Sequence, residues 1–334
     1  MSYRYLLYGL NVESEIEIEE AYSKDFEGKA DVEIVAGHMP PEVLDIFDVK
    51  DQNEPCSAIS GSALAIRIPQ VGDYLIRRDV ITVSALDGAA KETVKSFLLG
   101  SAFGYCMFLR KQVLLHGGAV ALADVNGSSE TGRGRADVKP SADSGDNAGG
   151  ATGIIITGDS GAGKSTVSDA LMERGYKFIA DDVCGITERG GAPHINMAYP
   201  QKKLCRDAAL KHGYDLSGLI YIGEDRDKYA VRLSEGFLPE GAAFKYLFEL
   251  VVEDADKIMQ ISVSEITGHE KLSVILRNIY RGDDGIKMWG ISPEYMQMCL
   301  KIASGEKIYR IVRPRGVETL DEITGVIDRV VRNL

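Results

Sequence analysis

The stretch from Gly153 to Asp182, GIIITGDSGAGKSTVSDALMERGYKFIADD, limits this chain to a small set of folds. Gly158, Gly163, Lys164 and Ser165 satisfy the spacing G-x-x-x-x-G-K-[ST]. Ile154 to Ile156 form a short apolar run that fits a buried strand. From Thr166 to Arg174, Val167, Ala170 and Leu171 recur on one side, as in a helix. Gly175 falls where a helix-ending glycine belongs. Strand, glycine loop and helix in that order read as a phosphate-binding P-loop in an α/β fold.

The residue types explain the chemistry. A glycine-rich loop lets backbone N–H groups wrap a polyphosphate, and the helix N-terminus adds partial positive charge. The expected nucleotide-binding residues are Gly158, Asp159, Ser160, Gly161, Ala162, Gly163, Lys164, Ser165 and Thr166. Lys164 reaches the β- and γ-phosphates and the Ser165 hydroxyl holds Mg²⁺, so ATP and Mg²⁺ are the expected cofactors. Lys177 to Asp182 reads as a strand ending in two carboxylates, where such an enzyme keeps a metal-organising or base carboxylate. On a strand, Asp181 and Asp182 point to opposite faces, which predicts different jobs. One would hold Mg²⁺ through water and the other would take a proton from an incoming hydroxyl. Ser165 and Asp181 are the expected metal residues, and Lys164, Asp181 and Asp182 the expected catalytic ones.

Charge narrows the partners. Lys and Arg number 38 against 50 Asp and Glu, a net charge of −12. That disfavours nucleic acid or an anionic membrane as the main partner. No run approaches ~18 apolar residues, so no span is expected. The opening MSYRYLLYGLNVESE is too short and polar in its apolar part to read as a signal peptide, and a cytoplasmic location is expected. Five scattered cysteines without C-x-x-C read as reduced, buried thiols. No two His or Cys residues have metal-ligand spacing.

The rest of the chain divides near residue 90. Residues 1–90 read as β-rich, with strands over Arg4 to Leu10, Ala30 to Ala36, Ser62 to Ile68 and Asp79 to Val83, and a strand edge within acidic Glu13 to Glu20. Residues 91–334 read as the catalytic domain. It opens on a buried helix over Lys91 to Lys111, followed by a strand, VLLHGGAVALA, that carries His116 and is interrupted at Gly117-Gly118. Residues 124–152 are rich in Gly, Ser, Asp and Ala and read as a flexible insertion at the tip of a hairpin. Further strands are expected at Tyr229 to Leu233, Tyr246 to Val252 and Tyr309 to Val312. Helices are expected near 269–280, 293–303 and 320–332. Lys202, Lys203, Lys228 and Arg232 are candidate phosphate-neutralising cations if they converge. His38, His194, His212 and His269 lack functional context.

LLHGGAVAL, GIIITGDSGAGKST and RGYKFIADD together resemble the catalytic domain of the HPr kinase/phosphorylase family, whose fold is shared with PEP carboxykinases. The resemblance covers about residues 97–123 and 153–204. It implies a P-loop kinase domain of that type, with ATP-dependent phosphorylation of a hydroxyl, usually a serine. It places His116 in the active site and, by spacing from the lysine, favours Asp182 as proton acceptor. It also makes self-assembly an expectation. Thr166 stands where the phosphocarrier enzymes have Glu, and their EIRG and RPGRN motifs lack counterparts. The opening YRY and YGL, a YP..KL segment, DKY and YRI are closer to divergent HPr-kinase-like proteins, some of which phosphorylate a peptide's C-terminal serine. The acceptor is thus a protein, a peptide or a small molecule. The alternatives are a nucleotide-dependent ATPase or switch without acceptor, and a bifunctional HPr kinase/phosphorylase.

Overall fold

The computed structural model describes residues 2–48, 56–60, 62–123, 150–211, 213–222 and 227–333. Most of the expected insertion, 124–149, lies outside the described residues, as does His212.

The first sheet is built from β1 (Tyr3–Leu7), β2 (Leu10–Ser14), β3 (Tyr22–Ser23), β4 (Val32–Ala36), β5 (Cys56–Ser60), β6 (Ala63–Ile68), β7 (Gly72–Ile76) and β8 (Val80–Ala85). Its order is β3-β1-β2-β4-β8-β7-β6-β5. β2, β4 and β8 are mutually parallel and the other pairs antiparallel. The helix α1 (Pro41–Asp48) packs Val43 and Phe47 on Ala63, Ala65 and Leu75. The expected strand through Leu10 stops at Leu7, because Tyr8 and Gly9 take φ of 52° and 80° and turn the chain into β2. Beyond Ser14 the acidic segment leaves the sheet.

A helical stretch follows: α2 (Lys91–Phe97), a π-turn Leu98–Ala102 and α3 (Phe103–Leu109). It packs Leu98, Phe103 and Met107 into one buried cluster that also holds Tyr8 from the β1–β2 turn, Ile34 and Ile81 from the first sheet and Leu115 and Ile155 from the second.

The second sheet contains β9 (Val113–Leu122), β10 (Thr152–Gly158), β11 (Lys177–Ala180), β12 (Val183–Arg189), β13 (Ala192–Asn196), β17 (Ala242–Glu253), β18 (Ser262–Ile266) and β19 (Lys307–Pro314). The path runs β10-β9-β12-β13-β17-β19-β18, and β10 also pairs with β17. β10, β17 and β19 are parallel; β9 and β10 form an antiparallel pair with Thr152 opposite Leu122. Ile154, Ile155 and Ile156 are fully buried, as expected of a strand covered on both faces. The pleat sends Ile154 and Ile156 to one side and Ile155 to the other. On the first side lie α4 (Lys164–Glu173), through Val167 and Leu171, and α9 (Leu320–Arg332), through Ile323, Ile327 and Val331. On the second lie α6 (Glu270–Arg277) and α8 (Pro293–Gly305). A further helix, α7 (Gly282–Trp289), was not expected from periodicity. It rests Trp289 on Phe108, ring centres 5.8 Å apart.

A small third sheet, β14 (Gln201–Cys205), β16 (Lys228–Arg232) and β15 (Ile220–Tyr221), lies beside the helix α5 (Arg206–Lys211). The molecule is therefore mixed α/β with several sheets. Among the described residues no helix is long and apolar enough to cross a membrane.

Candidate active site

β10 delivers the glycine loop. At Gly158 φ is 137°, and a Cβ there would lie 2.3 Å from the Leu250 carbonyl oxygen. Only glycine lets the chain turn so close to β17. α4 starts at Lys164, with Ser165 and Thr166 in its first turn. Lys164 Nζ folds back on the loop, donating to the carbonyls of Gly158 at 2.9 Å and Asp159 at 3.1 Å. From β19, Arg313 Nε donates to the Ala162 carbonyl at 3.0 Å and braces the loop from outside.

The two aspartates do not share a strand, contrary to expectation. β11 ends at Ala180, β12 begins at Val183, and both pair with β9. Asp181 and Asp182 form the break between them, with Asp182 at a φ of 70°. A non-glycine residue in this region marks local strain, less for Asp than for most residues. The side chains diverge through this kink rather than through alternation along a strand. Asp181 Oδ1 accepts from the Ser165 hydroxyl at 3.1 Å, and Oδ2 from the Lys203 backbone N–H at 2.9 Å. Burial pushes the Asp181 carboxyl up to about 6; the nearby charges of Asp182 and Asp169 add to this and the two hydrogen bonds oppose it.

Asp182 turns to β9 instead, with Oδ1 3.5 Å from His116 Nδ1. The glycines after His116 do not interrupt β9. A Cβ on Gly118 would lie 2.4 Å from Ser168 Oγ, so the glycine allows α4 to sit directly on the strand. His116 is held low in pKa, first by burial and then by Lys164, with Asp182 opposing. Both causes favour the neutral form of the imidazole. Its ring stacks near Tyr280 at 6.2 Å, and its backbone N–H donates to the Asn278 carbonyl at 2.8 Å.

These groups line one cleft of about 260 Å³, holding His116, Ser160, Gly161, Gly163, Lys164, Ser165, Thr166, Asp181 and Asp182. Asp159 and Ala162 line hollows on the loop's other flanks. Of the candidate cations, Lys203 and Lys228 line the cleft. Lys202 does not reach it: it pairs with buried Asp169 and ties β14 to α4. Arg232 pairs with Glu19 at 2.9 Å, on the exposed side of the small sheet. His194 contacts the Glu240 carbonyl oxygen at 2.8 Å, and His269 precedes α6. Cys106, Cys184 and Cys299 are buried thiols; Cys205 is only half-buried and lines the cleft.

Ser165 and Asp181 offer a hydroxyl and a carboxylate, the hard oxygen donors that Mg²⁺ takes alongside phosphate oxygens. A carboxylate kept near 6 by burial and like charge is one that a cation would relieve. Among the described residues no three His, Cys, Asp or Glu side chains form a metal cluster on their own.

Sequence reading missed a second polar group beneath the loop. Glu249, 4% exposed on β17, is bound by Arg277 at 2.7 Å on both its oxygens and by Arg310 at 2.8 Å. Asn278 links this group to the site, because Thr157 Oγ1 lies 2.8 Å from Asn278 Oδ1 and 2.7 Å from the His116 carbonyl oxygen. The signal was one acidic residue inside the apolar run LFELVV. Arg313 had no such marker.

No family model matches the chain, and no curated protein matches it. Among solved structures it resembles the Hpr(Ser) kinase/phosphatase from Coxiella burnetii, with 13% identity and a TM-score of 0.29. The match covers 66% of this chain and 94% of that one. At that TM-score the likeness decides nothing about the site.

Proposed function

We propose that the chain is a P-loop phosphotransferase of HPr-kinase-like type, which moves the γ-phosphate of ATP to a hydroxyl. One observation carries this reading. A lysine and a serine at the start of a helix share a cleft with a kinked aspartate pair and a histidine.

In this reading the glycine loop wraps the phosphates and Lys164 leaves its two carbonyl partners to meet them. The chain runs out past Thr166, so that the nucleoside enters the hollow of about 170 Å³ formed with Arg313 and Leu320. Ser165 and Asp181 would hold Mg²⁺, which would supply neutralisation of phosphate charge there. The acceptor hydroxyl lies between the γ-phosphorus and Asp182. Asp182 takes the hydroxyl proton as the new O–P bond forms, and the bond from phosphorus to the β,γ-bridging oxygen breaks, releasing ADP. His116 positions the Asp182 carboxylate. Lys164, Lys203 and Lys228 face the charge that spreads over the transferred group.

The test is transfer of label from γ-labelled ATP to peptides and small polyols. Label on an acceptor, lost in Asp182→Ala while nucleotide binding persists, supports the reading. Label found only as inorganic phosphate makes the chain an ATPase. Unchanged transfer by Asp182→Ala removes the assignment of the base.

A further inference from the structure

Directly after α6, the segment from Asn278 to Tyr280 runs beside β9 as a further partner. β9 pairs with β10 from Gly117 to Leu122, and β10 then leaves it to become the glycine loop. On the edge so vacated, the Asn278 carbonyl accepts from the His116 N–H at 2.8 Å, Ile279 bridges Leu115, and the Tyr280 N–H donates to the Leu114 carbonyl at 2.9 Å. The segment takes the place that the loop gives up. It leaves the main chain of His116 fixed on both edges, with Val183 of β12 on one side and Asn278 on the other. The His116 carbonyl is fixed as well, accepting from the Thr157 hydroxyl at 2.7 Å.

The His116 ring is held less firmly. Its side chain is 34% exposed, and the Asp182 carboxylate oxygen it faces is 3.5 Å away, long for a hydrogen bond. The Asp182 backbone carbonyl also attracts the ring N–H. Asp182 sits at the strained kink, so histidine and aspartate lean on each other and neither is an independent anchor. Tyr280 supports the ring from outside. The two rings lie offset, with centres 6.2 Å apart and planes within 24°. Tyr280 is fixed in its turn. A Cβ on Gly104 would lie 2.8 Å from Tyr280 Cε1, and one on Gly100 3.6 Å from Tyr280 Oη, so two glycines a helical turn apart make a slot for the ring. Gly100 belongs to the π-turn Leu98–Ala102, a device frequent at functional sites. Arg281 lies on Tyr280, its guanidinium carbon 5.7 Å from the ring centre, and its Nη2 donates to Ser101 Oγ at 2.9 Å.

Building on the kinase reading, in which His116 positions the Asp182 carboxylate, we propose that Tyr280 is a positioning residue of this site. The flat face of its ring confines the imidazole to the rotamer that aims Nδ1 at Asp182. The carboxylate then keeps its aim at the incoming hydroxyl, where a misplacement of ~1 Å costs up to about 10²-fold in rate. The Tyr280 hydroxyl takes no part, because it lies at the far end of the ring, against Gly100.

The experiment uses the full chain and three variants. Tyr280→Leu removes the flat face, Tyr280→Phe keeps it, and Gly104→Ala pushes on the ring from behind while leaving the tyrosine in place and favouring the helix. Single-turnover transfer from γ-labelled ATP is followed with pooled serine peptides and small polyols as acceptors, Kd for ATP by calorimetry, and the His116 ring C–H resonances by NMR, assigned with His116→Gln. Tyr280→Leu and Gly104→Ala should slow transfer by about tenfold or more, with Kd for ATP within about twofold of wild type. Both should shift the His116 resonances, and Tyr280→Phe should match the wild type in rate and spectrum. Equal transfer by wild type and Tyr280→Leu overturns the proposal. So does a loss in Tyr280→Phe as deep as in Tyr280→Leu, or a slowed Tyr280→Leu whose His116 resonances stay where they were. If the wild type transfers label to no acceptor, the kinase reading fails by itself, and the spectra then decide the positioning role. Resonances moved in Tyr280→Leu and Gly104→Ala but not in Tyr280→Phe support it, and unmoved resonances end it.

Discussion

Replacing Asp181 by Asn tests the electrostatics of the cleft without assuming any activity. The folded carboxyl is raised from 3.8 to about 6, chiefly by burial. This reverses the usual carboxylate case. The group binds its proton more tightly when folded, so its ionised form destabilises the fold above the folded pKa. The penalty is complete above pH ~6 and disappears as pH falls below the unfolded value near 4. A shift of this size corresponds to about 3 kcal/mol. Asn keeps both hydrogen bonds: its carbonyl accepts from the Lys203 N–H, and its amide donates to a rotated Ser165 hydroxyl. The weakening of these bonds on loss of the charge is already contained in the net rise to about 6. Asp181→Asn should therefore be more stable than wild type by about 3 kcal/mol at pH 8 in EDTA, and close to it below pH ~4. Urea unfolding at the two pH values measures this. Millimolar Mg²⁺ should stabilise the wild type and not the variant, because the cation relieves the charge that Asn lacks. A variant less stable at pH 8, or a difference independent of pH, would refute the argument.

Other perturbations follow from named contacts. Glu249→Ala removes the buried partner of Arg277 and Arg310, which stay partly exposed, Arg310 still paired with Glu270, and should destabilise the fold by about 1–3 kcal/mol, read by urea unfolding. Asp169→Ala strands Lys202 and should lose a similar amount, while Asp169→Leu with Lys202→Met recovers most of it. Gly158→Ala forces a Cβ against the Leu250 carbonyl and should cost roughly 2–4 kcal/mol by the same measure. Lys164→Ala removes two bonds to loop carbonyls and the cation facing Asp181 and Asp182, so Kd for ATP, followed by calorimetry, should rise at least tenfold.

Sequence alone determined the parts of this protein written in neighbouring residues. Ile154 to Ile156, the glycine spacing and the Val167/Leu171 stripe fix strand, loop and helix because each depends on contacts within a few positions. The pairing of β9 with β10 was legible for the same reason: two apolar strands flank a polar stretch. Tertiary structure alone decided what depends on distant residues. The separate aims of Asp181 and Asp182 come from the Asp182 kink, which exists because β11 and β12 both pair with β9. Their charge state comes from burial by elements far along the chain, and Lys203 reaches the cleft while adjacent Lys202 is committed to Asp169. Periodicity reports which face of an element is apolar. It carries no information on which elements meet, and the site is assembled from such meetings.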